Sequence, residues 1–322
     1  MSYMISYAKG SPSSTITIDG TDKSLDCDHS RILADITRSD LLAEIAQRIS
    51  KYGIISPSSD ANFDLDYRFL QASKSNDGDW EMRGNCGHST LAATVSAIEM
   101  GIVDKPNIGD YIKVRSLNTD TTFLCELAED TPESVFNAHM VYSPSRTLKS
   151  FLPLDEPEIE VPFEGKSIEA TIIDAGNPYI FVLGDVFNAR SASDLFALPE
   201  KEIERLEEIR KYAQKLLNFP ENSAFPKISM ICLGDKGGIA ARAIYQDAWH
   251  PSLALTGTIA LTVARNIKGT LPFNISSNSL SLETIETAQG FVRAEFRANG
   301  DDLENEAEAV VIKDKRVVFE PA

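Results

Sequence analysis

Apolar and polar residues alternate over several short stretches of the chain, the period of a half-buried strand. Residues 15–18 read Thr-Ile-Thr-Ile and end on Asp19-Gly20, a strand followed by a turn. The same pattern, with short apolar runs, predicts strands over 52–56, 65–73, 111–117, 122–126, 168–174, 179–183, 227–233, 280–287, 290–298 and 307–319. Helical spacing appears at 40–49, through Leu41, Leu42, Ile45 and Ile49. It recurs at 199–217, where Ile203, Leu206, Ile209, Tyr212, Ala213 and Leu216 are expected on one face and Glu202, Arg205, Lys211 and Lys215 on a solvated one. Pro144, Pro153, Pro157 and Pro162 mark a region expected to be rich in loops.

Two further helices, beginning at Cys86 and near Leu255 (255–267), carry hydroxyl and small aliphatic residues on nearly every side. Such a helix has no polar face and must be enclosed all round. Each sits among strands in its own half of the chain, which implies a weak internal repeat and an α+β architecture of two similar domains. In each, a barrel-like sheet wraps around one buried helix. The acidic, proline-containing stretch from Pro153 to Pro162 places the crossing between them. The expected domains are 1–160 and 161–307, with the last strand, about 308–322, returning to the first.

The 322 residues suffice for two cores, and 43% hydrophobic with 25% charged residues is an ordinary globular balance. A net charge of −17 argues against nucleic acid and anionic membranes as partners. It leaves room for a small anionic substrate, read by a few local donors. Cys27, Cys86, Cys125 and Cys232 are widely and irregularly spaced, so neither a structural metal site nor a disulfide framework is indicated. Reduced thiols in a cytoplasmic protein fit this pattern, and Met1-Ser2-Tyr3-Met4-Ile5 is not a secretory leader.

The most chemically informative segment is Gly84-Asn85-Cys86-Gly87-His88-Ser89. Gly84 and Asn85 suit a tight turn, and Cys86 then stands at a helix mouth. The unpaired N–H groups there stabilise a thiolate, and they would equally hold a carboxylate. The competing reading is a buried cysteine packed as a small hydrophobe.

Three blocks resemble the PrpF family, the methylaconitate isomerase group of the diaminopimelate epimerase-like fold. The first is Ser50-Lys51-Tyr52-Gly53 with Asp64-Leu65-Asp66-Tyr67-Arg68-Phe69-Leu70-Gln71, and the second is Gly84-Asn85-Cys86-Gly87. The third runs from Ile173-Asp174-Ala175-Gly176-Asn177-Pro178 through Pro226-Lys227-Ile228, His250 and Leu255-Thr256-Gly257-Thr258 to Ile267-Lys268-Gly269-Thr270-Leu271. The resemblance implies two barrel domains with the site in the cleft between them, and a cofactor-free, metal-free isomerase. Such an enzyme moves a proton next to a carboxylate or carbonyl. By match, Lys51 takes the position of the base and Cys86 that of the facing acid/base group, amine and sulfur meeting across the interdomain gap. Substrate contacts are expected from Asn85, Gly87, His88, Ser89, Asn177, His250, Thr256, Gly257 and Thr258.

The chain also departs from the family. The family's Arg-Gly-Gly-Thr-Ser-Lys loop appears here as Lys9-Gly10-Ser11-Pro12-Ser13-Ser14, leaving Ser13 and Ser14 as its substrate contacts. The expected His-Pro-Ser-Gly turn near the C-terminus is absent, with Ser276-Ser277-Asn278-Ser279 in that region. These losses imply a less charged or differently shaped substrate, one suited to secondary metabolism. The second helix opens on Thr256, not a cysteine, so two-thiol racemase chemistry is not indicated. A non-catalytic metabolite-binding protein, and a cyclase reusing the same acid/base pair, remain the alternatives. Nothing in the sequence distinguishes a monomer from a homodimer.

Overall fold

The structure, a computed structural model, describes residues 2–21, 49–72, 80–131, 133–235, 238–276 and 283–319. The helix expected at 40–49 and the start of the strand expected at 280–287 therefore lie outside the described residues, Ile49 apart. The chain divides into two compact units: Met1–Ala138 with Asp314–Ala322, and His139–Lys313. The division falls inside a strand, upstream of the Pro153 to Pro162 stretch.

In the first unit β1 (Tyr3–Ala8) turns back on β2 (Thr15–Asp19) as an antiparallel pair. β2 runs parallel to β3 (Lys51–Pro57), and β3 antiparallel to β4 (Leu65–Ala72). β4 pairs with the short β5 (Trp80–Glu81) at one end. After the helix α1 (Gly87–Glu99), β6 (Tyr111–Ser116) lies parallel to the start of β4 and forms a hairpin with β7 (Thr121–Glu129). β1, β2, β3, β4 and β6 all pack on α1.

That enclosure explains the helix's composition. Every residue from Gly87 to Ala97 is buried. Its hydroxyls are satisfied locally, Thr94 Oγ1 donating to the Thr90 carbonyl (2.9 Å) and Thr90 Oγ1 to the Cys86 carbonyl (3.1 Å). From the sheet, Ser6 Oγ donates to the Ala92 carbonyl at 3.0 Å. A polar face would have had no water to meet.

β8 (Ser134–Thr147) runs through the point of division. In the second unit β9 (Ile159–Phe163), β10 (Lys166–Asp174) and β11 (Pro178–Leu183) form an antiparallel series. Helices α2 (Ala192–Ala197) and α3 (Glu202–Leu216) follow, then β12 (Lys227–Leu233) parallel to β11. β13 (Ile239–Tyr245) is antiparallel to β12 and pairs with the short β14 (Ala248–Trp249). Beyond α4 (Leu255–Ala264) and α5 (Leu271–Ser276), β15 (Thr284–Thr287) lies parallel to β13. β16 (Gly290–Ala298) and β17 (Glu306–Phe319) complete an antiparallel series, and the end of β17 pairs with β1 in the first unit. All of α4 is buried, against β10, β11 and β16.

The two pairing schemes coincide. β1, β2, β3, β4, β6 and β7 join in the same parallel and antiparallel order as β10, β11, β12, β13, β15 and β16. A two-residue strand precedes the buried helix in both. The repeat signalled by two apolar helices is thus one of topology.

Several expectations need correction. The proline-marked region is strand for much of its length, since Pro144 lies within β8 and Pro162 within β9. Among the described residues β9 pairs only with β10, and proline, lacking an N–H, is tolerated on such an outer strand. Tyr212 and Leu216 are 37% and 39% exposed, not on the α3 core face. At 100° per residue they fall roughly opposite Ile203; Ile203, Leu206, Ile209 and Ala213 make the apolar stripe, and Glu202, expected on the solvated face, is buried beside it, as is Gln214. Among the described residues no helix is long and apolar enough to cross a membrane.

Candidate active site at the mouth of α1

Cys86 is the N-cap of α1, its backbone extended (φ −133°, ψ 101°) while its carbonyl accepts the Thr90 N–H at 2.8 Å. Asn85 sets this geometry. Its Oδ1 accepts the Cys86 N–H at 2.7 Å and the Thr90 hydroxyl at 3.4 Å, locking the turn that delivers the sulfur. Lys51 opens β3 and is 2% exposed. Its register opposite Thr15 brings it to the helix mouth, since Thr15 Oγ1 donates to Ser89 Oγ at 2.9 Å.

There the Lys51 Nζ and the Cys86 thiol are within hydrogen-bonding reach of one another. A second Nζ proton goes to Ser11 Oγ at 2.8 Å. Ser11 is held in turn, its hydroxyl donating to the Ser13 carbonyl (2.7 Å) and its own carbonyl accepting from Tyr7 Oη (3.2 Å). Both members of the pair belong to the first unit. The expectation of two groups facing each other across an interdomain gap is corrected: β3 and α1 of one barrel supply both.

The electrostatics are reciprocal. Burial lowers the Lys51 ammonium below its ordinary value, and the adjacent Cys86 pulls it partly back. Burial alone would raise the Cys86 thiol. The Lys51 charge, the Ser89 hydroxyl and the N–H groups of Ser89 and His88 outweigh it and leave the thiol lowered. The sulfur makes no full capping bond to those N–H groups, so they act on it mainly as oriented dipoles. The other described thiols behave oppositely, burial pushing Cys125 and Cys232 up to about 12.

Of the residues expected at the site, Asn85, Gly87, His88 and Ser89 gather around Cys86 at the start of α1, all of them buried. Ser13 and Ser14 lie in the turn leading into β2, beside Ser11. Asn177, His250, Thr256, Gly257 and Thr258 belong to the second unit. There His250 Nδ1 accepts the Ser252 N–H at 3.2 Å, Tyr179 Oη lies 3.3 Å from Thr256 Oγ1, and Gly257 lies so close to the Tyr179 ring that a Cβ would sit 3.0 Å from it.

The position equivalent to Cys86 is not Thr256. The Thr258 N–H and hydroxyl meet the Ala254 carbonyl at 2.8 and 3.2 Å, the same pair of bonds that Thr90 makes to Cys86. Ala254 is therefore the counterpart, and Thr256 lies two residues inside. Lys227, opposite Tyr179 at the start of β12, matches Lys51 opposite Thr15. The second mouth keeps the lysine and lacks the thiol.

Ser11 and Tyr67 were not expected at the site. The Tyr67 hydroxyl is buried near the Ser89 and Thr90 hydroxyls. Burial, reinforced by the neighbouring Cys86, holds the phenol neutral. The sequence does carry a trace of it: a Cβ at Gly53 would stand 2.9 Å from the Tyr67 ring, and a glycine inside a strand marks such a close approach.

A barrel around a buried helix with a polar mouth is the diaminopimelate epimerase-like fold. The structure of a methylitaconate Δ-isomerase superposes on it with a TM-score of 0.68 at 19% identity, over 98% of this chain and 95% of that one. A hydroxyproline epimerase from Agrobacterium vitis gives 0.64 at 11% identity, over 99% and 90%. A PhzF-family phenazine biosynthesis protein of Bacillus anthracis gives 0.54 at 10%, over 99% and 98%. The sequence pattern described as "PrpF protein" matches residues 35–136 and 147–322. The chain belongs to the PrpF family. Among its relatives are YraM of Bacillus subtilis (strain 168), 21% identical over 78% of both chains, and YbhH of Escherichia coli (strain K12), 26% identical over 84% of this chain and 82% of its own. Both are named as candidate isomerases.

Proposed function

We propose that this PrpF-family protein is an isomerase that shifts a proton, and with it a double bond, next to a carboxylate or carbonyl, using Lys51 and Cys86 as an acid/base pair. The buried contact between the two groups supports this reading. The two groups share one mobile proton, held either as ammonium and thiolate or as amine and thiol. From the second form, the Lys51 amine takes a proton from the carbon next to the carboxylate. The electrons of the broken C–H bond spread into the adjacent double bond. The Cys86 thiol then delivers its proton to the far carbon of the allylic anion. Lys51 ends as ammonium and Cys86 as thiolate, and a direct transfer between them restores the start. Ser11 fixes the amine's aim, and the N–H groups at the α1 mouth stabilise the developing enolate.

The test is proton exchange. Itaconate or 2-methylitaconate is incubated with the protein in deuterium oxide, and label at the allylic carbons is followed by NMR. Exchange is expected in the wild type and should drop by about 10²–10⁴-fold in Lys51→Met and in Cys86→Ser, the usual size of general acid/base contributions. Undiminished exchange in both variants would refute the pair.

A further inference from the structure

β17 brings a second buried lysine, Lys315, beside the turn that holds Ser11. Val317 pairs with Ala8 on β1, and the Lys9 N–H donates to the Arg316 carbonyl at 2.8 Å. Side chains alternate along this strand: Val317 is buried, Arg316 turns outward to within 3.7 Å of Glu133, and Lys315 turns inward. The inward face of β1 is the one that meets α1, through Ser6 and the Ala92 carbonyl. Ser6 pairs with Thr15, which bonds Ser89 near the helix opening, so β1 continues through Ala8 beyond that opening. Lys315 lies past Ala8 in the same direction, beside the turn that begins at Gly10. That turn contains Ser11, the acceptor of the Lys51 Nζ.

Lys315 is 9% exposed, and among the described residues its Nζ has neither a hydrogen bond nor a carboxylate partner. Among the described residues nothing answers its charge, and burying an ammonium without a partner is costly. The first turn of α1 adds its own unpaired N–H groups at the same end of the barrel.

We propose that Lys315 binds a carboxylate group of the substrate at the α1 mouth, from the Gly10 to Ser14 side of the Lys51 and Cys86 pair. This assignment rests on the proton-transfer reading of that pair, for which Lys315 positions the substrate and exchanges no proton with it.

Calorimetric titration with itaconate tests it on the full chain, comparing wild type, Lys315→Met and Arg316→Met. Lys315→Met should bind itaconate at least about tenfold more weakly, the scale of a lost charge-assisted hydrogen bond. Arg316→Met, changing the adjacent outward cation, should bind within about threefold of wild type. In wild type, itaconate should also slow acetylation of Lys315 by acetic anhydride, read by peptide mass. Equal affinity in wild type and Lys315→Met overturns the assignment, as does equal loss in Arg316→Met or a wild type without affinity for itaconate. Deuterium exchange scores the other reading separately. Weakened binding in Lys315→Met with no exchange in any protein keeps the anion site and removes the proton-transfer pair; exchange with unweakened binding does the reverse.

Discussion

Replacing Lys315 by methionine should make the protein more stable, because the lysine stores a desolvation cost in the native state. An ordinary lysine titrates near 10.5, and burial holds Lys315 down at about 8. That difference is worth about 3 kcal/mol at about 1.4 kcal/mol per pH unit. Methionine has similar length and no charge, so at pH 7 the Lys315→Met protein should gain about 2–3 kcal/mol. For a unit of this size the midpoint of thermal unfolding should rise by roughly 5–10 °C. The sign of the pH dependence follows from linkage. Below pH 8 the lysine is protonated in both native and unfolded chains, and the full penalty weighs on the wild type. Between about 8 and 10.5 the unfolded chain binds more protons than the native one, so wild-type stability climbs with pH and the gap to the variant closes. Urea unfolding of both proteins from pH 7 to 10.5 measures that gap, with other titrating groups cancelling in the difference. A variant no more stable than wild type at pH 7, or a gap unchanged with pH, would show that the amine is solvated or paired. A stabilising loss of this kind is expected where a residue serves a ligand instead of the fold.

Alkylation of Cys86 by iodoacetamide should reach half-maximal rate at a pH below that of an ordinary thiol, and Lys51→Met should move that midpoint upward by removing the neighbouring charge; an unchanged midpoint would contradict the pairing. Cys125 and Cys232, held up at about 12, should stay unreactive below pH 9 in the native protein. Gly53→Ala places a methyl 2.9 Å from the Tyr67 ring and 3.3 Å from Ala93 Cβ, and should cost about 1–3 kcal/mol in urea unfolding while slowing exchange. Asn85→Ala leaves the Cys86 N–H without its acceptor and should cost about 1–2 kcal/mol, with a change in Cys86 alkylation rate that a purely structural loss elsewhere in α1 would not produce.

The parts of this protein legible in the sequence are those fixed by local physics. Strand period announced β2, β3, β4, β6, β7, β10, β11, β12, β16 and β17, because a half-buried strand must alternate whatever its neighbours. Two helices without a polar face announced their own enclosure, and with it the duplicated barrel. Gly84 and Asn85 ahead of Cys86 marked the thiol's place at a helix mouth, since turn and cap chemistry act within a few residues. Strands such as β8, β9 and β13 were missed, two of them masked by prolines that read as loop, and β13 because it is buried without alternation.

Tertiary structure alone decided what surrounds the thiol. Lys51 and Tyr67 reach α1 through the pairings of β2 with β3 and of β3 with β4, Ser11 meets Lys51 through the turn that joins β1 to β2, and Lys315 comes beside that turn through the pairing of β1 with β17. A one-residue slip in any of these ladders would turn the side chain to the opposite face of the sheet. Register is settled by the whole barrel closing on its helix, so no local pattern could have said that an exposed-looking lysine in Asp314-Lys315-Arg316 is buried. The sequence determined which groups were available for chemistry; the register determined which of them meet, because charge and hydrogen bonding act over a few ångströms of space and not along the chain.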